Sequence, residues 1–323
     1  MTSLVVTGAN GFVGSRIVET ALAAGLRVRG TDRQPVGRVA GADYLPADVL
    51  EPESLAPALA GADVVVHAAG LAHVFGTGQA AKAPFHAVNV EGTANVARAA
   101  AVAGAQGFVL VSSVSVYGPH SPGELDETSP CRPDQPYSRS KLESELRARE
   151  VCAQAGVALT ILRMATIYGE GDPGNVARLI RAIDRRRFVW VGGGTNRKSL
   201  LHRDDAARAC IVAAVSSHAG ARVYNVSAPV CSTRDVVVAI ARALGRRPPW
   251  LGVPVGLALV AARLLSVSPA AVERARSLER ALNTWLRDDA YDASRIESEL
   301  GFRTEVDLET GIRREVEWYR RSP

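Results

Sequence analysis

The chain has 323 residues, of which 47% are hydrophobic and 22% are charged, a composition typical of a globular enzyme and not of a disordered or fibrous protein. Its formal net charge is +5, carried mainly by arginines scattered along helical stretches, so we expect no nucleic-acid partner and favour a phosphorylated small molecule. The four cysteines stand far apart with no CxxC pair, which predicts reduced thiols and no metal site.

The first 163 residues alternate short valine-rich runs with alanine-rich helical patterns. The predicted strands are Leu4–Thr7, Arg27–Thr31, Asp63–His67, Gly107–Ser112 and Ala158–Leu162. The predicted helices are Gly11–Ala24, Glu53–Ala60, Ala87–Ala103 and Pro136–Ala155. Strands that are almost continuously apolar and alternate with helices indicate a parallel sheet covered on both faces. The predicted fold is α/β, with a doubly wound Rossmann sheet in residues 1–163.

Residues 164–323 follow a looser pattern, which predicts a smaller C-terminal lobe that binds the substrate. Strands are predicted at Arg187–Val191 and Val223–Val226, and helices at Asp204–Ser216 and Thr233–Leu244. We expect the segments around 187–226 to return to the Rossmann part, whereas Arg246–Ala290 is irregular and arginine-rich.

Neither the N-terminal segment nor the most apolar later stretch suggests a membrane protein. The chain enters a strand at Ser3, so we expect no signal peptide. The apolar stretch Val253–Val267 is too short to span a bilayer and contains Arg263. We therefore expect a cytoplasmic protein without a membrane partner.

A glycine-rich loop, Thr7–Gly14, follows the first strand and opens the first helix. A dinucleotide needs one glycine for the tight turn, one for close approach to the pyrophosphate, and one for packing of the helix. The free amides of the helix N-terminus then favour the phosphates. Asp32 ends the second strand, where its carboxylate would accept hydrogen bonds from the ribose hydroxyls and favour NAD. Arg33 follows it directly and keeps NADP as an alternative cofactor.

Two further segments are expected on the ligand side of the sheet. Asp48 is a candidate to hold the adenine amino group, although an acid that caps a helix would look the same. The run Ala68-Ala69-Gly70 ends a strand with small residues, which lets a cofactor lie against the backbone. Close packing of the sheet is the alternative interpretation of this run.

The motif Tyr137-Ser138-Arg139-Ser140-Lys141 carries the predicted chemistry. Positions i and i+4 share one face of a helix, and an ammonium beside a phenol lowers the phenol pKa from its ordinary value of about 10. Ser113 leaves a strand at its carboxyl end and is the candidate to hydrogen-bond the reacting oxygen, with Ser112 and Ser115 as substitutes. Asn89 is predicted to hold the active-site helix. A surface Tyr/Lys pair without function is the alternative.

These residues resemble the extended short-chain dehydrogenases/reductases, specifically the NAD-dependent epimerase/dehydratase group that acts on nucleotide sugars. The resemblance covers nearly the whole chain and rests on Thr7–Gly14, Asp32, Asp48, His67–Gly70, Asn89–Thr93, Ser112–Gly118, Tyr137–Lys141, Leu162–Arg163, Tyr168–Gly169, Leu201–Asp205, Leu300–Phe302 and Gly311–Ile312. It implies a catalytic triad of Ser113, Tyr137 and Lys141. It also implies a homodimer built from the helices around Ala87–Ala103 and Pro136–Ala155.

The sequence departs from the family pattern at places that bear on the reaction. The 4,6-dehydratases of the family carry an acid just after the active-site Ser or Thr, whereas this chain has Val114 and Ser115, so we do not expect elimination. Thr166 stands where many sugar-nucleotide enzymes carry Asn, and Arg197 where the family commonly grips the diphosphate or nucleoside. The segment His73–Gly78 is reminiscent of C4-reductases of 4-keto-6-deoxy amino sugars.

The predicted function is a redox reaction or epimerisation at C4 of a nucleotide-linked sugar. The alternatives are an NADPH-dependent 4-keto-sugar reductase, a hydroxysteroid-type dehydrogenase, and a non-catalytic scaffold that senses the cofactor. The predicted cofactor-binding residues are Gly8, Asn10, Gly11, Phe12, Val13, Gly14, Asp32, Arg33, Asp48, Val49, Ala68, Ala69, Gly70, Asn89, Ser112, Tyr137, Lys141 and Met164. The predicted substrate-binding residues are Ser113, Ser115, Thr166, Asn175 and Arg197.

Overall fold

Seven parallel strands form the central sheet of the computed structural model, which describes residues 2–72, 83–119, 123–254, 256–257 and 286–322. The strands are β1 (Ser3–Thr7), β2 (Arg27–Thr31), β3 (Asp43–Tyr44), β4 (Val64–His67), β5 (Gly107–Ser113), β7 (Ala158–Met164) and β12 (Ala221–Val226), in the order β12-β7-β5-β4-β1-β2-β3. Every residue of β4 is buried, as expected for a central strand covered on both faces. The predicted α/β Rossmann class is confirmed.

Helices cover both faces of this sheet and bury one apolar cluster on each. The helices are α1 (Gly14–Ala23), α2 (Pro52–Leu59), α3 (Gly92–Val102), α4 (Pro136–Ala155), α5 (Asn175–Asp184), α6 (Arg203–Val215), α7 (Thr233–Ala243), α8 (Ser294–Leu300) and α9 (Leu308–Arg321). On one face, α1 and α6 supply apolar side chains such as Ile17 and Ala206. On the other face, α2, α3 and α4 supply Leu55, Val96 and Ala148.

Short strands and three helices form a second group of elements. The strands are β6 (Glu124–Leu125), β8 (Thr166–Tyr168), β9 (Trp190–Val191), β10 (Arg197–Lys198), β11 (Leu200–His202), β13 (Cys231–Ser232), β14 (Gly252–Val253) and β15 (Ala290–Tyr291). Helices α5, α7 and α9 share an apolar cluster that includes Ile180, Ile240 and Ile312. Within the segment 187–226, β12 pairs with β7 and α6 packs against α1, so these parts lie with the main sheet.

Several boundaries differ from the predicted ones, each for a local reason. Helix α1 begins at Gly14 instead of Gly11, because the loop before it turns at Gly8 with a φ of +70°. The predicted helix Ala87–Ala103 is a π-helix over His86–Glu91 followed by α3, a change of winding that apolar periodicity does not reveal. Strand β9 is shorter than Arg187–Val191, because Arg187 still donates its amide to Ala182 O of α5, at 2.8 Å.

Parts of two predictions lie outside the described residues, namely most of the apolar stretch Val253–Val267 and most of the irregular stretch Arg246–Ala290. Among the helices that the structure describes, none has both the length and the apolar composition needed to cross a membrane.

Candidate active site

The glycine-rich loop is packed so closely that side chains are excluded from it. A Cβ atom on Gly8 would lie 2.7 Å from Ala69 Cα, and a Cβ on Gly14 would lie 2.0 Å from Gly8 O. The Gly11 amide donates to Gly8 O at 2.9 Å, which closes the turn. The loops after β1 and β4 therefore touch through their backbones, at the carboxyl edge of the sheet where strand order reverses and dinucleotides bind.

A cavity of about 240 Å³ opens beside this loop, at the ends of β1, β2 and β4. Half of the predicted cofactor-binding residues line it, namely Gly8, Gly11, Asp32, Arg33, Asp48, Val49, Ala68, Ala69 and Gly70. The Asp32 carboxylate accepts the amides of Asn10 at 3.2 Å and Arg33 at 2.8 Å. Asp48 Oδ1 accepts the Leu50 amide at 2.9 Å. Backbone contacts thus fix both carboxylates in the cavity wall.

The structure gives other predicted cofactor-binding side chains contacts within the protein. The side-chain Nδ2 of Asn10 donates to Val36 O at 2.9 Å, which holds the loop after β2. The ring of Phe12 lies beneath the Arg203 guanidinium, with 5.6 Å between Arg203 Cζ and the ring centroid. Val13 packs against the core, and Met164 is buried at the end of β7.

Asn89 connects the loop after β4 to helix α4. Its Oδ1 accepts the Leu71 amide at 2.8 Å, and its Nδ2 donates to Leu71 O at 3.0 Å and to Ser140 Oγ at 2.9 Å. Ser140 precedes Lys141, so Asn89 joins the rim of the cavity to the helix that carries the predicted catalytic pair.

Ser113 and Tyr137 meet at the point where β5 ends and α4 begins. Their two hydroxyl groups are neighbours, and Phe85 packs edge-on against the tyrosine with 5.9 Å between ring centroids. Ser113 Oγ also accepts the Ser115 amide at 3.2 Å, which fixes its position at the start of a short 3₁₀ helix. Two of the three predicted catalytic residues are therefore in direct contact.

Burial governs the protonation of Tyr137 and Lys141. Burial raises the pKa of Tyr137, and the neighbouring Ser113 hydroxyl opposes this only in part. Lys141 Nζ donates to Val111 O at 2.6 Å, and burial lowers the pKa of Lys141 to about 8 against the attraction of Glu145. The ammonium is itself desolvated and turned towards β5 here, so the lowering of the tyrosine pKa by Lys141 stays a prediction.

A buried polar network lies beneath the predicted catalytic residues. Ser112 Oγ donates to Glu145 Oε1 at 2.5 Å, and Arg163 Nη2 donates to Glu145 Oε2 at 2.8 Å. Arg163 Nη1 also donates to Tyr117 Oη at 3.1 Å, and Tyr117 donates to Asn225 Oδ1 at 2.7 Å. Ser112, predicted to touch the cofactor, lies in this network. Glu145 was absent from the predicted site, although its position four residues after Lys141 places it on the same helix face.

His67 ends β4 beneath the cavity and is held between two threonines. Its Nδ1 lies 2.7 Å from Thr7 Oγ1, and its Nε2 lies 3.0 Å from Thr93 Oγ1. Burial, together with the charge on Lys141, lowers the pKa of His67 to about 3. The imidazole is therefore neutral at neutral pH and acts as a hydrogen-bonded support for the loop after β4.

The predicted substrate-binding residues are spread over several elements. Ser115 Oγ is buried without a hydrogen-bond partner among the described residues. Thr166 is exposed in β8, and Asn175 is exposed at the first position of α5. The Arg197 guanidinium forms an ion pair with Glu124. The predicted segment His73–Gly78 lies outside the described residues.

Comparison with known proteins gives matches over nearly the whole chain. The sequence model of the NAD dependent epimerase/dehydratase family matches residues 4–227. An N-acetyl-alpha-D-glucosaminyl-diphospho-ditrans,octacis-undecaprenol 4-epimerase from Escherichia coli O157:H7 is 29% identical, covering 98% of this chain and 95% of its own. A dTDP-glucose 4,6-dehydratase from Streptomyces griseus is 32% identical, covering 98% and 94%. The solved structure of MoeE5 in complex with UDP-glucuronic acid and NAD has a TM-score of 0.79 at 28% identity, covering 99% and 100%.

Proposed function

The chain belongs to the NAD dependent epimerase/dehydratase family, as predicted, and on that premise we propose that it catalyses a redox reaction at C4 of a sugar carried on a nucleoside diphosphate. The observation that carries this proposal is that Ser113 and Tyr137 are neighbours where β5 ends, and that Asn89 links the helix of Tyr137 to the rim of a cavity whose lining suits a dinucleotide. The prediction of NAD as cofactor is confirmed at the level of the family, which is NAD-dependent.

The residues around the cavity fit NAD. Gly8 and Gly14 leave a cradle that a Cβ would fill, and the amides near the start of α1 favour a pyrophosphate. Asp32 stands at the end of β2, where its carboxylate suits the ribose hydroxyls and would repel a 2′-phosphate. When bound, NAD supplies the acceptor for a hydride. Arg33 in the same wall keeps NADP as the alternative cofactor.

Tyr137 is the proposed base, because its hydroxyl is the titratable group in contact with Ser113. It would take the proton of the C4 hydroxyl, while Ser113 hydrogen-bonds the same oxygen. Lys141 would place positive charge near the phenol once the site is filled. Return of the hydride to the opposite face of the sugar would make the enzyme an epimerase. Entry of reduced cofactor with a C4 ketone, which would take the hydride on carbon and the Tyr137 proton on oxygen before the oxidised cofactor leaves, would make it a reductase.

Elimination is disfavoured, although dehydratases stand among the relatives. Val114 and Ser115 follow Ser113, and neither side chain is acidic enough to protonate a leaving hydroxyl. Glu145, the carboxylate nearest in sequence to Lys141 on its helix face, is buried in its ion pair with Arg163. The hydroxysteroid-type dehydrogenase and the non-catalytic scaffold remain less favoured, since the relatives named above act on sugar diphosphates by their names.

Substitution of the proposed base tests the function directly. Against a panel of UDP- and dTDP-hexoses, a nucleotide-linked 4-keto-6-deoxyhexose and an undecaprenyl-diphospho-hexosamine, with NAD or NADPH, we expect the wild type to turn over at least one sugar. Tyr137→Phe should lower kcat by about 10²–10⁴-fold on that sugar, with the fold intact. Tyr319→Phe is the matched control, because that phenol lies far away on α9 and should leave kcat unchanged. Full turnover by Tyr137→Phe would disprove the assignment.

The product distinguishes the two proposed reactions. An epimerase gives the C4 epimer with no net change in NADH absorbance, and a reductase consumes NADPH only with a 4-keto sugar. Thr166, Asn175 and Arg197 remain proposed substrate contacts. The cytoplasmic location also remains a prediction, as does the homodimer through α3 and α4. Light scattering of the purified protein tests whether the chain is a dimer.

A further inference from the structure

A patch that combines exposed arginines with exposed apolar side chains lies at the end of helix α5, apart from the proposed active site. Its members, which we call the Arg–Trp patch, are Arg185, Arg186, Arg187, Arg247, Trp250 and Leu251. The side chain of Trp250 is 88% exposed and that of Leu251 is 53% exposed. Scattered single exposed apolar side chains are ordinary in soluble proteins, but adjacent Trp and Leu inside a basic surface are not.

Hydrogen bonds hold the two halves of the patch together. The Trp190 amide donates to Leu251 O at 2.9 Å, and Trp190 Nε1 donates to Pro249 O at 2.7 Å. Parallel pairing of β9 with β14 then aligns the residues that follow Arg187 with those that follow Trp250. The segment that follows the arginines and the segment that carries the apolar side chains therefore run side by side.

The charge of the patch is not cancelled by the acid next to it. Asp184 Oδ1 accepts Arg246 Nη2 at 2.7 Å, and Asp184 Oδ2 accepts the Tyr319 hydroxyl at 3.1 Å. This carboxylate is therefore committed to Arg246, which is not a member of the patch. Arg185, Arg186 and Arg187 point their charges into solvent beside it.

Arg186 adopts a backbone conformation that normally belongs to glycine. Its φ is +55°, and no other non-glycine residue among those described has a positive φ. The position is one after the C-cap of α5, where glycine commonly ends a helix in the left-handed region. An arginine at this position is strained, so its presence argues that the guanidinium is useful where it stands.

We propose that the Arg–Trp patch binds the surface of an anionic lipid bilayer, which departs from the sequence-based expectation of no membrane partner, an expectation that rested on the lack of a spanning segment. Tryptophan and leucine suit the boundary between headgroups and acyl chains, and clustered arginines are attracted to anionic headgroups. A nucleic acid is less suitable, because Trp250 is the one aromatic member of the patch, and Leu251 and the neighbouring Val189, 38% exposed, offer no further stacking surface for successive bases. A second copy of the same patch would bring two basic clusters together, which like-charge repulsion opposes. The proposal is independent of the reaction proposed above.

Vesicle binding tests this proposal with the full-length chain. We expect the protein to sediment with vesicles of phosphatidylcholine and phosphatidylglycerol (3:1) and to remain in solution with pure phosphatidylcholine. Binding should weaken as salt rises and should fall about fivefold for each of Arg185→Gln and Arg187→Gln. Trp250→Ala should lower vesicle binding further. Brominated lipid should quench the tryptophan fluorescence of the wild type more than that of Trp250→Phe.

Matched variants separate the patch from general effects on charge and folding. Arg313→Gln and Val102→Ser remove a 60% exposed arginine side chain and an 87% exposed valine elsewhere, and should bind vesicles like the wild type. Arg186→Gly should raise the Tm by relieving strain and yet weaken vesicle binding, which a purely structural role does not explain. The proposal would be overturned if the patch variants bound vesicles as well as the wild type, or if sedimentation did not depend on anionic lipid. Preferential binding to RNA, or self-association that Trp250→Ala abolishes, would also overturn it.

Discussion

Burial sets the protonation of the two side chains on which the proposed reaction depends. The spacing of Tyr137 and Lys141 is local, so the sequence predicts that they share a helix face. Their pKa values depend instead on the strands packed beneath α4, and burial raises the pKa of Tyr137 while lowering that of Lys141 to about 8. At neutral pH the free protein therefore holds a neutral phenol and a mostly protonated ammonium.

NMR of the lysine side chains tests this at the level of single atoms. With only Lys82, Lys141 and Lys198 in the chain, labelled lysine gives a spectrum that is simple to assign. We expect one Nζ signal to titrate near pH 8, because the buried ammonium is destabilised, and Lys141→Arg should lack that signal. If every lysine titrated at the ordinary value of about 10.4, the described burial of Lys141 would be wrong.

Helix α9 carries an ionisable side chain on its buried face. Its apolar face joins the cluster of α5 and α7, as its amphipathic pattern suggests, but Glu315 lies on the same side and is only 1% exposed. Burial, followed by repulsion from Asp172 and Glu170, raises the pKa of Glu315 to about 9. Sequence pattern alone would place such a glutamate in solvent, because it does not show which elements cover the helix.

Removal of this carboxyl group should change how stability depends on pH. The folded pKa of Glu315 is above the unfolded value of 4.5, so its contribution to stability is complete below about pH 4.5 and is lost as pH rises towards 9. Between those values the free energy of unfolding should fall by about 1.4 kcal/mol per pH unit from this group. Urea unfolding at pH 6, 7 and 8 should give a slope of unfolding free energy against pH that is more negative in the wild type than in Glu315→Gln by about 1.4 kcal/mol per unit, since the other titrating groups are common to both.

Glu317→Gln, whose carboxylate side chain is 53% exposed on the same helix, is the control and should keep the wild-type slope. Identical slopes for wild type and Glu315→Gln would show that the carboxyl group is solvated.

Across the whole molecule, one buried ion pair joins the elements that carry the proposed chemistry. Glu145 on α4 and Arg163 on β7 are 18 residues apart in the chain, and through Ser112, Tyr117 and Asn225 they connect β5 to β12. The pair is almost completely desolvated, with side chains 2% and 7% exposed. Loss of one partner would leave the other charge buried without compensation.

We expect Glu145→Gln to lower the free energy of unfolding by about 3–5 kcal/mol, because Arg163 then remains charged in the core. The Arg147–Glu150 pair on the same helix, 43% and 52% exposed, provides the comparison, and Glu150→Gln should cost about 0–1 kcal/mol. Chemical denaturation measures both. A similar small loss for the two variants would mean that water reaches the Glu145 site.

The sequence by itself determined the features that depend on neighbours along the chain: the strand–loop–helix order, the glycines that only a tight turn admits, and the spacing of Tyr137 and Lys141 on one helix face. Family, fold class and an NAD-dependent group of enzymes followed from these. Only the tertiary structure decided which groups are desolvated and what they contact, including Lys141 turned to Val111, Glu145 paired with Arg163, and Arg197 paired with Glu124. Burial and ion pairing depend on segments brought together from distant parts of the chain, and the local sequence pattern does not specify which segments come into contact.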